Sequence, residues 1–191
     1  MENLQPKAVT GPVTDDERAY AINSLKTTQA NLHQSLEGLS AAQLTYKPTP
    51  DRWSIDECVE HIALIEKGIF RAIQTSLQLP SEPDKRASIK VSDVDVVKAV
   101  RSRAVTLPAP TPFVPTGRFS STDAALQAFD EQRTAVIAFT QNVQEDLRTH
   151  YFQHIALGTL DVFQAILLMA AHSERHRKQI EEVKATAGFP S

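Results

Sequence analysis

The stretch Trp53-Ser54-Ile55-Asp56-Glu57-Cys58-Val59-Glu60-His61-Ile62 decides the fold. Ser54 and Glu57 stand three apart ahead of an apolar run, the spacing of a capping box, in which a hydroxyl and a carboxylate satisfy free backbone N–H groups at a helix start. Trp53 and Cys58 occupy the two positions of a hydrophobic staple across that cap. Beyond it Ile55, Cys58, Ile62, Ile65, Ile69, Ile73 and Leu77 follow at three- and four-residue steps, one apolar stripe of a long helix that Pro80 stops. The expected helix covers about 54–79 and carries His61 in its first turns, at the margin of the stripe.

Three more long helices follow from the same signals. One spans about 14–38, opened by a Thr14/Glu17 capping box, striped by Ile22, Leu25, Leu32, Leu36 and Leu39, and closed near Gly38. Ser40 to Leu44 reads as a short turn before the extended Lys47-Pro48-Thr49-Pro50. Another helix covers about 122–147, with Leu126, Phe129, Val136, Val143 and Leu147 inward, and the last covers about 159–187, stopped by Gly188 and Pro190. Residues 80–121 carry six prolines and room for one short helix, from Ser92 to about Val105. So long a connection in a small domain is a crossover, a lid or a mobile loop. Together these describe an all-α four-helix bundle with a long Pro-rich crossover between its second and third helices, one domain over residues 1–191.

Composition narrows the function. The 191 residues are 41% hydrophobic with a net charge of -3, which gives no basic field for a nucleic acid backbone. The single cysteine, Cys58, excludes an intramolecular disulfide and suits a reducing compartment, so a cytoplasmic location is expected. Met1 to Lys7 does not read as a secretory signal. The longest apolar run, 162–171, is interrupted by Gln164 and falls well short of the ~20 residues of a membrane span. The expected partner is a small molecule, with neither nucleic acid nor membrane involved.

The chemistry rests on histidines. In His172-Ser173-Glu174-Arg175-His176 the two imidazoles are one helical turn apart, with Cβ atoms roughly 5 to 6 Å from each other. Alone, such a pair is as readily two unrelated histidines, and His61 alone is as readily a hydrogen-bonded residue at the core edge. If all three converge, neutral imidazoles at ~2.0 to 2.1 Å suit Zn²⁺, Ni²⁺, Fe²⁺ or Mn²⁺ with coordination positions left open. Other candidates have simpler readings. Glu57, one turn before His61, is occupied by its cap. Glu174 points away from His172 and suits a solvated pair with Lys178 or Arg177. Cys58 lies on the apolar stripe, and His33 is expected to be exposed. His150 and His154 fall in what reads as the loop entering the last helix, where a polar contact over the bundle mouth is conceivable. Lys85, Arg86, Lys98, Arg101, Arg103 and Arg118 read as a solvated loop surface or as contacts for an anionic substrate.

Residues Pro50 to Ile62, Gly158-Thr159-Leu160 and His172 to Ile180 together resemble the DinB superfamily, over about residues 15–187. The informative parts are the W-S-x-x-E-x-x-x-H opening of the second long helix and H-x-x-R-H-x-x-Q-I on the last. The resemblance implies an up-down-down-up bundle, a divalent metal held by His61, His172 and His176, and frequent homodimers. It also implies a thiol-dependent S-transferase or isomerase, because some relatives use a low-molecular-weight thiol such as bacillithiol or mycothiol against electrophiles. Coordination would favour the thiolate that attacks. The alternatives are a metal-dependent hydrolase and a non-catalytic, stress-associated or interaction bundle. A zincin protease is disfavoured, since Ser173 stands where H-E-x-x-H needs glutamate.

Overall fold

The computed structural model describes residues 11–104 and 107–191. Met1 to Lys7 and the expected end of the short helix at Val105 lie outside the described residues. Four long helices form the body: α1 (Asp15–Leu36), α3 (Ile55–Leu77), α5 (Thr122–Asn142) and α6 (Val162–Lys184). Two shorter ones intervene, α2 (Ala41–Thr45) and α4 (Asp93–Arg101). Capping boxes form at Thr14/Glu17, Ser54/Glu57, Ser40/Gln43 and Ser92/Asp95, so the starts of α1 to α4 are fixed by local chemistry. Gly38, at a φ of 73°, supplies the left-handed residue that ends α1.

Both α1 and α3 pack against α5 and α6, so α1 and α3 lie diagonally across a four-helix bundle. Polar ties give the directions. Along α1 and α5 the pairs run Arg18 with the Thr140 carbonyl, then Gln29 and His33 with Asp130, which is antiparallel. Along α3 and α5, Asp56 meets Thr122 and Glu66 meets Arg133, so these neighbours run the same way. Parallel neighbours need a long return connection, and residues 78–121 provide it. That segment holds 3-10 turns at Pro83–Ser88 and Thr111–Phe113 as well as α4, which packs on α6.

Several expected boundaries and faces differ. The third long helix ends at Asn142, not near 147, although Val143 and Leu147 are buried beyond its end. The last helix begins at Val162, capped by Asp161 and Gln164. Thr159 and Leu160 instead form β2 (Gly158–Asp161), paired antiparallel with β1 (Tyr151–His154). Gly158, at a φ of 74°, closes the three-residue hairpin loop in a conformation other residues avoid. The Ser40–Leu44 turn is the one-turn helix α2. On α3 the stripe is broken: Glu66 is 1% exposed while Ile65 is only half-buried, because a buried arginine on α5 draws the carboxylate inward.

The core continues through both ends of the bundle. One apolar cluster joins Leu25, Ile73, Val136, Phe163 and Ile166; the other joins Leu32, Ile55, Cys58, Val59, Ile62, Phe129, Ile180 and Val183. The second encloses the helical turns that carry His61 and His176. No described helix is long and apolar enough to cross a membrane.

Candidate metal centre

His61 on α3 and His172 and His176 on α6 converge, each offering a nitrogen within 4.8 Å of the others'. Their ring centroids lie 5.1, 4.6 and 4.5 Å apart. The capping box places His61 by fixing where α3 begins. The one-turn spacing on α6 places the other two, and the packing of α3 on α6 brings the sets together.

Hydrogen bonds set the orientation of two of the rings. His61 Nδ1 lies 2.7 Å from the Phe113 carbonyl, which can only accept, so Nδ1 carries the proton and Nε2 keeps its lone pair. His176 Nδ1 lies 3.0 Å from Gln179 Oε1, an oxygen that also accepts from Arg103 at 3.2 Å. This contact likewise leaves Nε2 of His176 as the free acceptor. Ligating histidines in metalloproteins are oriented by such partners. The Trp53 indole covers the cluster, with its ring 4.8 Å from that of His61 and stacked 6.0 Å from that of His176.

Burial is uneven, and it sets the protonation states. His61 and His176 are buried, and His172 retains some surface exposure although its ring is closely packed. Burial holds His61 below the ordinary histidine range, although the Phe113 carbonyl opposes this. Burial, then the neighbouring imidazoles, hold His172 well below it, and burial followed by His61 does the same to His176. All three rings are therefore neutral at neutral pH, the form that can bind a cation. Three imidazole nitrogens held tetrahedrally stand about 3.3 Å apart. One nitrogen from each ring already lies within 4.8 Å of the others, before any ion draws them together. The donor set therefore fits a divalent ion.

Other candidates fall where their chemistry puts them. Glu57 accepts from the Ser54 N–H and pairs with Lys47 at 2.7 Å, away from the histidines. Cys58 is fully buried in the apolar cluster, and burial pushes its thiol up to about 12, so it is no nucleophile. His33 is exposed and meets Asp130. Glu174 does pair with Arg177, at 2.8 Å, but on a largely buried surface and not in solvent. His154 is on β1, not in a loop; its Nδ1 accepts from the Ala156 and Leu157 N–H groups, so it closes the hairpin. The β1 strand that carries it packs on α6. His150 is buried just before β1, with Nδ1 3.2 Å from the Asp146 carbonyl.

The crossover cations are mostly engaged. Arg103 grips Glu182 with two nitrogens, Arg118 reaches the Pro112 carbonyl, Lys85 pairs with Glu82 and Arg86 reaches the Gly11 carbonyl. No motif singled out Phe113 or Gln179 as a partner of the histidines. Gln179 stood in the quoted H-x-x-Q-I pattern and was the one with a signal, whereas a carbonyl 52 residues from His61 leaves none.

Residues 24–180 match the DinB superfamily. The chain belongs to that superfamily. It is 27% identical over 149 residues to the uncharacterised protein YuaE of Bacillus subtilis (strain 168), covering 78% of this chain and 88% of YuaE. Its fold is similar to that of YfiT from Bacillus subtilis, with a TM-score of 0.60 and 16% identity over 92% of this chain and 90% of YfiT. YfiT is described as a probable metal-dependent hydrolase with an unusual four-helix bundle topology. This superfamily member thus carries a bundle fold and a cluster of three neutral histidines that could hold a divalent ion.

Proposed function

We propose that this chain binds one divalent metal ion through His61, His172 and His176 and uses it to activate a low-molecular-weight thiol for attack on a small electrophile. The observation that carries the metal reading is the convergence of three imidazoles, two of them with Nδ1 already hydrogen-bonded. A bound divalent ion would supply Lewis acidity, favouring the anionic form of a coordinated thiol or water. Zn²⁺, Ni²⁺, Fe²⁺ and Mn²⁺ all suit nitrogen donors with open positions.

The protein's own contributions can be named. Phe113 and Gln179 hold two imidazoles in the tautomer that points Nε2 at the ion. Trp53 excludes water from their outer face.

Metal analysis of protein purified without a histidine tag tests the centre. Roughly one equivalent is expected, lost in His61→Ala and His176→Ala; less than about half an equivalent, unchanged in both variants, would sink it. Thiolate-to-metal absorption on adding bacillithiol, mycothiol or glutathione to the cobalt form would support thiol activation. The likeness to YfiT favours a second reading, hydrolysis by the same centre. Chelator-sensitive cleavage of small esters or amides without any thiol, and no spectral change with thiols, would select it.

A further inference from the structure

Glu60 precedes His61 on α3, is 6% exposed, and takes no part in the cluster. Its carboxylate instead accepts three successive backbone N–H groups of the crossover. Oε1 receives Thr116 at 2.9 Å and Arg118 at 3.1 Å, and Oε2 receives Gly117 at 2.9 Å. Gly117, at a φ of 73°, gives the chain the left-handed residue that lets it fold around the carboxylate. Arg118 braces the same loop through Thr116 Oγ1 and the Pro112 carbonyl. Three residues earlier in this strap is Phe113, whose carbonyl receives the His61 proton and whose ring lies against Gly68 on α3. Pro115 stiffens the segment between the two attachments, and Pro110 and Pro112 stiffen the approach to it.

We propose that Glu60 is a positioning residue for the metal centre: by clamping residues 116–118 it holds the Phe113 carbonyl against His61 Nδ1, and so fixes the His61 tautomer that presents Nε2 to the ion. Adjacent residues of one helix thus act in series through the strap. His61 is the ligand, and Glu60 sets the acceptor that orients it. The consequence for affinity rests on the metal reading above, but the consequence for the tautomer does not.

The experiment compares Glu60→Gln, Gly117→Ala and, as a control, Asp56→Asn, which takes the charge out of a different tie between α3 and the start of α5. Glutamine keeps the shape of Glu60 but faces at least one N–H with its own amide donors. Alanine at Gly117 strains the loop while leaving Glu60 intact, so it tests the same clamp if Glu60→Gln folds poorly. In metal-free protein near pH 8, nitrogen NMR of the histidines is expected to show His61 as a single Nδ1–H tautomer in wild type and Asp56→Asn. The two clamp variants are expected to show mixed tautomers, and to bind cobalt about tenfold more weakly than wild type. An unchanged His61 tautomer in both clamp variants overturns the proposal, as does equal disturbance in Asp56→Asn, which would mean general loosening. If wild type binds no metal, the centre proposed above fails, and the tautomer comparison still decides the role of Glu60.

Discussion

Two buried polar systems adjoin on α6, one through Ser173 and the other through His172, and they are built on opposite principles. Arg133, fully buried, spends every N–H it has: two on Glu66, one on the Leu25 carbonyl, one on Thr28 and one on Ser173. Its guanidinium also lies over the Phe129 ring. The group ties α1, α3, α5 and α6 together and leaves nothing over for a ligand. The histidine cluster has its Nδ1 protons engaged at His61 and His176 but leaves the Nε2 lone pairs of both rings free to accept. A polar group buried for stability is saturated, whereas one buried to bind something keeps capacity in reserve.

The sharpest way to break that contrast is to unpair the saturated system. Glu66→Ala leaves Arg133 charged and buried, and urea denaturation is expected to show a loss of about 3 to 5 kcal/mol. His176→Gln, in the unsaturated system, should cost metal-free protein less than about 1.5 kcal/mol while abolishing metal binding. Equal stability losses in the two variants would erase the distinction.

Gly68→Ala comes next in size. A Cβ there would stand 2.5 Å from the Phe113 ring, so the strap must shift. Overpacking of this kind costs about 1 to 3 kcal/mol, partly offset by alanine's better helix propensity. Unchanged thermal stability together with unchanged metal affinity would show that the strap moves freely.

The pH dependence is smaller, and its sign follows from the depressed histidines. In the folded chain all three resist protonation, while in the unfolded chain they titrate near the usual value of about 6.5. Below that pH the unfolded state binds more protons, so the metal-free protein should lose stability as pH falls through about 6.5 and show little change from these groups above it. Urea denaturation across this range should show the dependence weakened in His172→Gln; an identical slope would mean that the histidines are not held neutral. The smallest effect concerns Glu57. Glu57→Gln should lower stability by about 1 kcal/mol or less through its cap and its exposed pair with Lys47, and leave metal affinity unchanged. A weaker metal site in that variant would give Glu57 a role the structure does not.

Much of the fold was readable because its signals are local. The Ser54/Glu57 box fixed where α3 starts, hence where His61 lies, and the four-residue step put His172 and His176 on one face. The failures are non-local. Asn142 ends α5 without a glycine or proline, beside a turn where Arg148 is drawn to Asp161, Asp93 and Glu17. Thr159 and Leu160 could have continued the α6 pattern, but they pair with Gln153 and Phe152 in a hairpin closed by Gly158. Ile65 yielded the core to Glu66 because Arg133, 67 residues away, needed a counter-ion.

The sequence by itself determined the helices, their caps, and the identity of the three candidate ligands, since capping and periodicity act within a few residues of the chain. Only the tertiary structure decided that the three imidazoles meet, which of their nitrogens are free, and that a strap fastened by Glu60 supplies the carbonyl to His61. Those facts depend on groups distant in sequence whose burial and hydrogen bonding exist only once α3, α6 and the crossover have packed together.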